Sequence, residues 1–322
     1  MNSIYLFATL VSIVLSLTLC ALLIPLLKRW KAGQNILVYV KEHKGKQGTP
    51  TMGGLAFVLA VLLSVIIFMP RVVLERYRTS IVTLVIGLSY LCIGFLDDLL
   101  KKRHKENLGF TPLQKFIFQT VVAIFCGIYC LRADLTKLTI PFFKAEWDLG
   151  WGIIPFVVFV FLGTVNAVNL TDGLDGLAAG TSVPFFLTLG ILILLKKGDS
   201  GLALLSFCLL GALLGYLFFN VSPARVFMGD TGSLSLGGFA ASIATFSGNA
   251  LFLPIVGVCF VFSVISVLVQ VIYYKATHGK RVFLMAPIHH HFQKRGYSET
   301  RIAYGYFLLT LFLGGICILR GV

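Results

Sequence analysis

Acidic side chains are scarce in this sequence, and charged residues of either sign are uncommon. Only 12% of the 322 residues are charged, with 13 Asp and Glu against 27 Lys and Arg, whereas 57% are hydrophobic. A soluble domain of this length does not need that much apolar surface, so the composition excludes one. The seven cysteines include no CxxC pair, which argues against a zinc site or a disulfide framework, and we expect free thiols in apolar runs.

Long apolar runs predict helices that cross a membrane, because about 20 apolar residues span the hydrocarbon core. The runs do not alternate apolar with polar residues, which argues against an outer-membrane barrel. No repeat or low-complexity tract interrupts them, so we predict one all-α polytopic membrane domain over residues 1–322. Its first run has no basic leader, so we expect a membrane helix there and not a cleaved signal peptide. The ten predicted transmembrane helices are Ile4–Leu27, Met52–Met69, Thr79–Leu96, Leu113–Leu131, Trp151–Leu170, Ala178–Leu195, Leu202–Phe219, Leu234–Phe246, Leu253–Tyr274 and Ile302–Leu319.

The distribution of cations predicts the orientation. Eighteen of the 27 Lys and Arg residues lie in loops that follow the odd-numbered spans. By the positive-inside rule that side is cytoplasmic, so both termini face outward. Five carboxylates and a histidine triplet fall on the same side, which predicts an active site on the cytoplasmic face. The excess positive charge suits anionic membrane lipid and anionic substrates, whereas no compact basic domain is present for nucleic acid.

The chain is organised around a polar stretch between the fifth and sixth spans. Asn166, Asn169, Asp172 and Asp175 recur at steps of three. In an unbroken helix each step drifts about 60° around the axis, so the side chains converge more easily if the helix breaks near Gly173 and Gly176. The alternative is a polar helix end that caps itself with Asn and Asp side chains.

A second motif, Asp97-Asp98, ends the third span. Two carboxylates at a helix C-terminus oppose the macrodipole at a cost of about 0.3–1 kcal/mol each, which a divalent cation or a basic substrate would offset. The alternative is a solvated acidic pair answered by Lys101 and Lys102.

A third motif, Asn220–Ser233, precedes the eighth span. Free N–H groups beside Gly229, with Ser233 as a cap, are expected to accept an anion or a phosphate. Asp230 in the same turn is a candidate metal ligand. Phe227 is either a face on which a base stacks or an aromatic residue of the membrane interface.

Two further segments point to phosphate or sugar. Lys46–Gly54 opens the second span with the same glycine-rich pattern and includes Thr51. His289, His290 and His291 point about 100° apart if they are helical, so they cannot all bind one ion, and we expect hydrogen bonds to phosphate or sugar. The alternative is a basic amphipathic segment on the membrane surface.

With these motifs in order, the sequence resembles the polyprenyl-phosphate N-acetylhexosamine-1-phosphate transferase superfamily, and within it the phospho-N-acetylmuramoyl-pentapeptide transferase family. The superfamily shares the Asp pair and the NxxNxxDGxDGLA stretch, whereas GTPTMGG, FMGDxGSL and APIHHHF are specific to the muramoyl branch. The resemblance runs from Lys46 to Phe292 and, by span count, through the whole chain. Gly109-Phe110 stands where Gly-Leu is more usual, and Ile36–Lys46 differs from the commoner acidic version. We expect neither departure to touch a catalytic position.

The resemblance implies an enzyme of the bacterial cytoplasmic membrane that makes lipid I for peptidoglycan. Undecaprenyl phosphate would attack UDP-N-acetylmuramoyl-pentapeptide directly and release UMP, with Mg²⁺ as cofactor and Asp230 as its ligand. Asp97 is expected to accept a proton from the lipid phosphate, and Asp98 to support the metal or Lys115. A homodimer is left open. The expected catalytic residues are Asp97, Asp98, Lys115, Asp230 and His289.

The resemblance also implies a division of the substrate contacts. The uridine side is expected to hold Asn169, Asp172, Asp175, Asn220 and Phe227. The phosphate and sugar side is expected to hold Lys46, Thr51, Lys115 and His289–His291, and Asn166 and Gly229 complete the expected binding residues.

Two rival functions remain open at this point. One is a sister transferase that uses UDP-N-acetylglucosamine, against which the histidine triplet argues. The other is a transporter or flippase with an acidic cation pathway. Transporters hold their substrate and ion sites near the bilayer midplane between structural repeats, whereas these acids lie at one interface and no repeat is visible.

Overall fold

The computed structural model describes residues 3–30, 48–69, 78–103 and 109–320, and these are mostly helical with very little strand. Eight of the helices are long and apolar enough to cross a membrane, which confirms the predicted all-α polytopic class. The helices of the described residues are α1 (Ser3–Arg29), α2 (Gly54–Phe68), α3 (Arg78–Arg103), α4 (Pro112–Arg132), α5 (Ile153–Thr171), α6 (Leu177–Leu195), α7 (Ser200–Asn220), α8 (Gly229–Phe246), α9 (Leu253–Val256), α10 (Val258–Ala276), α11 (Ile288–Lys294) and α12 (Glu299–Arg320).

Each of the ten predicted spans coincides with helix, with two differences that matter. The ninth span is interrupted at Gly257, which separates α9 from α10. The eighth helix begins five residues earlier than predicted, at Gly229, so Asp230 lies in its first turn. The number of membrane crossings and their orientation stay predictions.

Helix α8 lies at the centre of the bundle. All of its residues except Asp230 are buried. It packs closely against α3 and α5. In the contact with α3, Phe239 of α8 lies over Gly87 and Tyr90 of α3 lies over Gly238, so side chains of each helix fill the space above a glycine of the other. A helix with no lipid-facing side tolerates Ser and Thr, and small residues let helices approach.

The two ends of the bundle differ in character. At one end a short hairpin, β1 (Lys137–Thr139) and β2 (Glu146–Asp148), joins α4 to α5, and Thr139 N–H donates to Gly248 O at 2.8 Å. At the other end α3 and α5 end while α4 and α8 begin. The polar motifs of the sequence gather at this second end.

Helix α4 begins sharply because of its local sequence. Thr111 accepts a hydrogen bond from Gln114 N–H, the Gln114 side chain accepts one from Thr111 N–H, and Pro112 occupies the first turn. This capping box satisfies two N–H groups that the helix itself leaves free. It fixes the first turn of α4, which carries Lys115.

Candidate functional site

Four charged side chains form a tight group where α3, α4 and α8 meet, and we call Asp97, Lys101, Lys115 and Asp230 the charged cluster. Lys101 Nζ lies 2.7 Å from Asp97 Oδ2 and 2.8 Å from Asp230 Oδ2. Lys115 Nζ lies 3.0 Å from Asp97 Oδ2 and also contacts Asp230 Oδ2. Only 1% of the Asp97 side chain is exposed, against 16% for Asp230. Each lysine therefore bridges both carboxylates in a largely buried setting.

The remaining oxygens of the charged cluster have neutral partners. Asn169 Nδ2 donates to Asp230 Oδ1 and to Ser233 Oγ, both at 2.8 Å. Phe110 N–H donates to Asp97 Oδ1 at 2.7 Å. The Gly109-Phe110 segment therefore contacts the charged cluster, but through a backbone N–H that a leucine at position 110 would also provide.

Asp98 has a role that the sequence did not predict. Its carboxylate accepts Thr231 N–H at 3.0 Å, Thr231 Oγ1 at 2.7 Å and Asp230 N–H at 3.3 Å. It thus caps α8 from a neighbouring helix. The predicted free N–H groups at the start of α8 are occupied, and Ser233 is not a cap, because its hydroxyl donates to Gly229 O at 3.0 Å.

The second predicted anion site is also closed by the protein's own backbone. Gly53 N–H donates to Phe227 O at 2.8 Å, Gly54 N–H donates to Met228 O at 3.1 Å, and Phe227 N–H donates to Pro50 O at 2.8 Å. The two glycine-rich segments therefore bind each other. Lys46 lies outside the described residues, so its predicted role is untested.

Thr51 and Gly229 meet beside the charged cluster. Gly229 has φ +71°, and a Cβ on it would meet Thr51 Oγ1 and Asp98 Oδ2. A positive φ and this lack of space both favour glycine. Thr51 Oγ1 is buried and has no hydrogen-bond partner in the described part of the chain, so it is free to bind a ligand.

The polar stretch breaks as predicted. Helix α5 ends at Thr171, and α6 starts after Gly176, which has φ +71°. Asp175 Oδ2 accepts Ala224 N–H at 3.0 Å, and Asn220 Oδ1 accepts Gly176 N–H at 3.2 Å. Asn220 Nδ2 also donates to Val226 O at 2.9 Å. These predicted uridine residues therefore tie the stretch to the loop that carries Phe227, a partly exposed side chain.

Asp172 follows the end of α5 and lies near the other acids. Loss of solvent around its carboxyl, and then the negative charges of Asp230 and Asp98, hold its pKa well above the usual range. A carboxyl group in such a setting favours its protonated form. Asp172 therefore adds less negative charge than the sequence suggests.

The histidine triplet is helical, on α11, and its members differ. His289 is fully buried, both of its ring nitrogens lack a partner among the described residues, and Nε2 fills the space above Gly173. His290 Nδ1 lies 3.1 Å from Gln293 Oε1, and His291 Nδ1 accepts Leu284 N–H at 3.1 Å. Among the described residues, His289 is therefore the member of the triplet whose two ring nitrogens are both buried and unpaired.

Burial keeps His289 neutral. The pKa of its imidazole falls to about 3, mainly by burial and secondarily by the neighbouring His290. A neutral ring offers one donor and one acceptor. It can therefore hydrogen-bond a sugar or a phosphate but cannot neutralise one.

Asp97, Asp98 and Asp230 could hold a metal ion. One oxygen from each lies within 4.8 Å of the others. Carboxylate oxygens are the donors that hard divalent cations prefer, and such an ion usually needs only one or two of them besides water and phosphate. The donor set therefore fits, although Lys101 and Lys115 already contact two of the three carboxylates.

Sequence reasoning missed several members of the site. Lys101 entered the sequence analysis only in the alternative, as a counter-ion of a solvated acidic pair, whereas it joins Asp97 to Asp230, and Lys102 is exposed. Glu299 accepts Asp175 N–H at 2.9 Å from the start of α12. The i, i+4 spacing of Asp97 and Lys101 was the one signal in the sequence that could have shown a pair.

Comparisons with known proteins identify the family of the chain. A family model described as glycosyl transferase family 4 matches residues 80–248, and phospho-N-acetylmuramoyl-pentapeptide-transferase signature 1 matches residues 46–58. Similar proteins named phospho-N-acetylmuramoyl-pentapeptide-transferase include that of Listeria monocytogenes serotype 4b (strain CLIP80459), 44% identical over 284 residues and 87% of each chain. That of Thermoanaerobacter sp. (strain X514) is 43% identical over 94% of each chain. That of Bacillus subtilis (strain 168) is 41% identical over 97% of this chain and 96% of its own.

Proposed function

The chain belongs to the phospho-N-acetylmuramoyl-pentapeptide transferase family, and we propose that it transfers phospho-N-acetylmuramoyl-pentapeptide from UDP-N-acetylmuramoyl-pentapeptide to undecaprenyl phosphate. The products are lipid I and UMP, for peptidoglycan biosynthesis in the bacterial cytoplasmic membrane. The observation that carries the proposal is the charged cluster at a bundle end. A lipid phosphate reaches such a place from the bilayer, and a nucleotide reaches it from the cytosol.

Charge balance supports phosphoryl transfer at the charged cluster. The two lysines face three carboxylates, Asp97, Asp98 and Asp230, so the group carries one net negative charge before any ligand binds. Two phosphate-bearing substrates add more. Phosphoryl transfer depends mainly on positioning and charge neutralisation, which lysines and a divalent cation supply.

We propose Mg²⁺ as the cofactor, held by Asp230 with Asp97 and Asp98 close by. All three carboxylates already accept hydrogen bonds: Asp98 from the start of α8, Asp97 from Phe110 N–H and the lysines, and Asp230 from Asn169 and the lysines. Asp230 is the most exposed of the three carboxylates. When bound, the ion would neutralise charge on the phosphates.

The lipid phosphate attacks directly in this proposal, and no covalent enzyme intermediate forms. A phosphate monoester has a second pKa of about 6, so it is mostly dianionic at neutral pH and needs little help from a base. Both oxygens of Asp97 already accept hydrogen bonds from Lys101, Lys115 and Phe110. We therefore assign Asp97 to holding the two lysines towards the phosphates, in preference to accepting a proton.

The remaining residues divide between the two halves of the nucleotide substrate. Phe227, partly exposed beside the charged cluster, is proposed to stack on uracil, with Asp175 and Asn220 shaping the loop around it. Thr51 and His289, whose polar atoms lack partners in the described ranges, are proposed to bind phosphate and sugar. Lys46 remains a proposed phosphate ligand on sequence grounds alone.

Release of UMP by the purified full-length protein tests the proposal. UMP should appear from UDP-N-acetylmuramoyl-pentapeptide only when both undecaprenyl phosphate and Mg²⁺ are present. UDP-N-acetylglucosamine should be a poor donor, and equal turnover of both donors would favour the sister transferase. Exchange of labelled UMP into the nucleotide substrate without lipid would instead indicate a covalent intermediate.

A further inference from the structure

A partly buried polar contact joins α4 to α5 one turn away from the charged cluster. Asn166 Nδ2 donates to Gln119 Oε1 at 2.7 Å and to Leu162 O at 2.8 Å. Tyr90 OH on α3 donates to Gln119 O at 3.1 Å. Gln119 is 1% exposed, and its Nε2 has no partner among the residues that the structure describes. Three helices therefore meet at one glutamine.

Each of these helices also carries a member of the site on the same side. Gln119 follows Lys115 by four residues, Asn166 precedes Asn169 by three, and Tyr90 precedes Asp97 by seven. At 3.6 residues per turn these spacings return to within about 60° of the same face, displaced by about 6, 4–5 and 10 Å along the axis. The polar contact therefore lies directly behind the residues that surround Asp230.

The contacts of Asn166 do not fit the substrate role that the sequence suggested. Its amide is used within the protein, whereas Asn169, one turn nearer the ligand end, reaches Asp230. An amide pair is costly to bury among apolar helices unless its members bond each other, because an unpaired polar group loses its hydration. Such a pair specifies one relative position of two helices.

We propose that Gln119 is a positioning residue, whose side-chain carbonyl holds α5 against α4 so that Lys115 and Asn169 reach the two oxygens of Asp230. This inference rests on the proposed function. Lys115 contacts Asp230 Oδ2 and Asn169 contacts Oδ1, so a shift between α4 and α5 moves the two donors apart. A displacement of about 1 Å in such a constellation can cost about a hundredfold in rate.

The test is a double-mutant cycle on the full-length protein. Gln119→Met keeps the length of the side chain and removes its carbonyl, and Asn166→Leu removes the donor. We expect each to lower kcat about tenfold to a hundredfold while KM for the nucleotide changes less than about twofold. The double variant should be no more than about twofold slower than the slower single variant, because both changes break one contact.

Two further variants keep the test decisive. Thr120→Val on the same helix removes a hydroxyl that donates only to Phe116 O, and it should stay within about twofold of wild type. If Gln119→Met does not fold, Gln119→Asn keeps the amide but is too short to reach Asn166, and it should show the same loss of kcat. Melting temperatures of the four proteins in the cycle test the hydrogen bond without turnover, and they should be non-additive.

Several results would overturn the inference. One is a loss of kcat in the double variant that equals the product of the two single losses, and another is additive changes in melting temperature. Unchanged kinetics in Gln119→Met would also contradict it. A rise in KM at constant kcat in Asn166→Leu would indicate that Asn166 binds substrate. An inactive wild-type protein would contradict the proposed function, whereas an active wild type matched by Gln119→Met would contradict only the positioning role.

Discussion

The charged cluster differs from two other buried side chains, Thr51 and His289, in whether its polar atoms already have partners within the protein. In the charged cluster every ammonium and carboxylate already contacts an opposite charge. Thr51 and His289, by contrast, are buried with polar atoms that have no partner in the described ranges. A paired group is held in place by the protein, whereas an unpaired buried group keeps a free-energy cost that a ligand can relieve. In the proposed function, the first region supplies fixed charge and the second supplies recognition.

The largest expected effect comes from removing charge at the centre of the charged cluster. Asp230→Asn should lower turnover by about a thousandfold or more and weaken the binding of Mn²⁺, a spectroscopic substitute for Mg²⁺. Asp97→Asn should lower turnover as severely but leave Mn²⁺ affinity largely intact, since Asp97 is committed to the lysines. Electron paramagnetic resonance titration with Mn²⁺ measures the affinity separately from the rate.

The two variants control each other. Both leave two carboxylates facing Lys101 and Lys115, so the group has the same formal charge in each. Any difference in metal affinity then reflects position. Loss of the ion from Asp97→Asn with retention by Asp230→Asn would reverse the assignment.

A smaller effect should follow from truncating Phe227, the side chain proposed to stack on uracil. Phe227→Ala should weaken nucleotide binding by about 1–3 kcal/mol, because a stacked base loses its aromatic face. Affinity for undecaprenyl phosphate should barely change, and calorimetry with each substrate separates the two. Phe218→Ala is the matched control, because Phe218 is 70% exposed on α7. Equal weakening of both substrates would make Phe227 an ordinary interfacial aromatic.

Because His289 is buried and unpaired in the described part of the chain, it should make the free energy of unfolding depend on pH. Its pKa of about 3 lies below the usual 6.5, so the unfolded chain takes up a proton first as the pH falls. The stability due to the neutral ring is complete above pH 6.5 and is lost as the pH falls towards 3, by about 2 kcal/mol at pH 5. Chemical unfolding of the wild type and His289→Asn at pH 7 and 5 measures this loss, which the variant should lack.

The raised pKa of Asp172 acts in the opposite direction, because protonation then favours the folded state. The difference between wild type and variant is therefore the informative quantity, not the slope of either. His278→Asn removes an exposed histidine and should follow the wild type. An unchanged pH response in His289→Asn would show that the ring is paired or hydrated in solution.

The smallest expected effect is an increase in metal affinity. Lys101 competes with a divalent ion for Asp230 Oδ2, so Lys101→Met should tighten Mn²⁺ binding about fivefold while slowing turnover. A unit charge about 4 Å away is worth about 1 kcal/mol even in water. Lys102→Met, at the exposed neighbouring position, should leave the affinity unchanged. Weaker Mn²⁺ binding in Lys101→Met would mean that the lysine supports the metal site.

The sequence predicted the helical class and the place of each apolar helix, because span length and composition are local properties. It did not predict the early start of α8, since the capping carboxylate of Asp98 comes from another helix. It also predicted two open anion sites where Gly53 and Gly54 pair with Phe227 and Met228. A contact between segments so far apart in the chain leaves no periodic signal in either.

For the site, residue types were predictable and partners were not. The acids and the histidines were named from their motifs and Lys115 from the family resemblance, and the charged cluster unites three of the named residues. The sequence could not show that Lys101 bridges two carboxylates, or that His289 differs from its two neighbours. Those properties depend on burial, which is set by the packing of α8 and α11 and not by the motif.

The charge of the site also has a consequence for how the chain is made. Asp97, Asp98, Lys101 and Lys115 all belong to α3 and α4, and they balance at two positive and two negative charges. Asp230 lies 129 residues after Lys101, so it is synthesised long after those helices have left the ribosome. These four side chains therefore balance one another in charge before Asp230 is made, although Lys102 and Arg103 at the end of α3 and Arg132 at the end of α4 leave the two helices positive. The fifth charge arrives only with α8, when α3 and α5, against which α8 packs, have already been made.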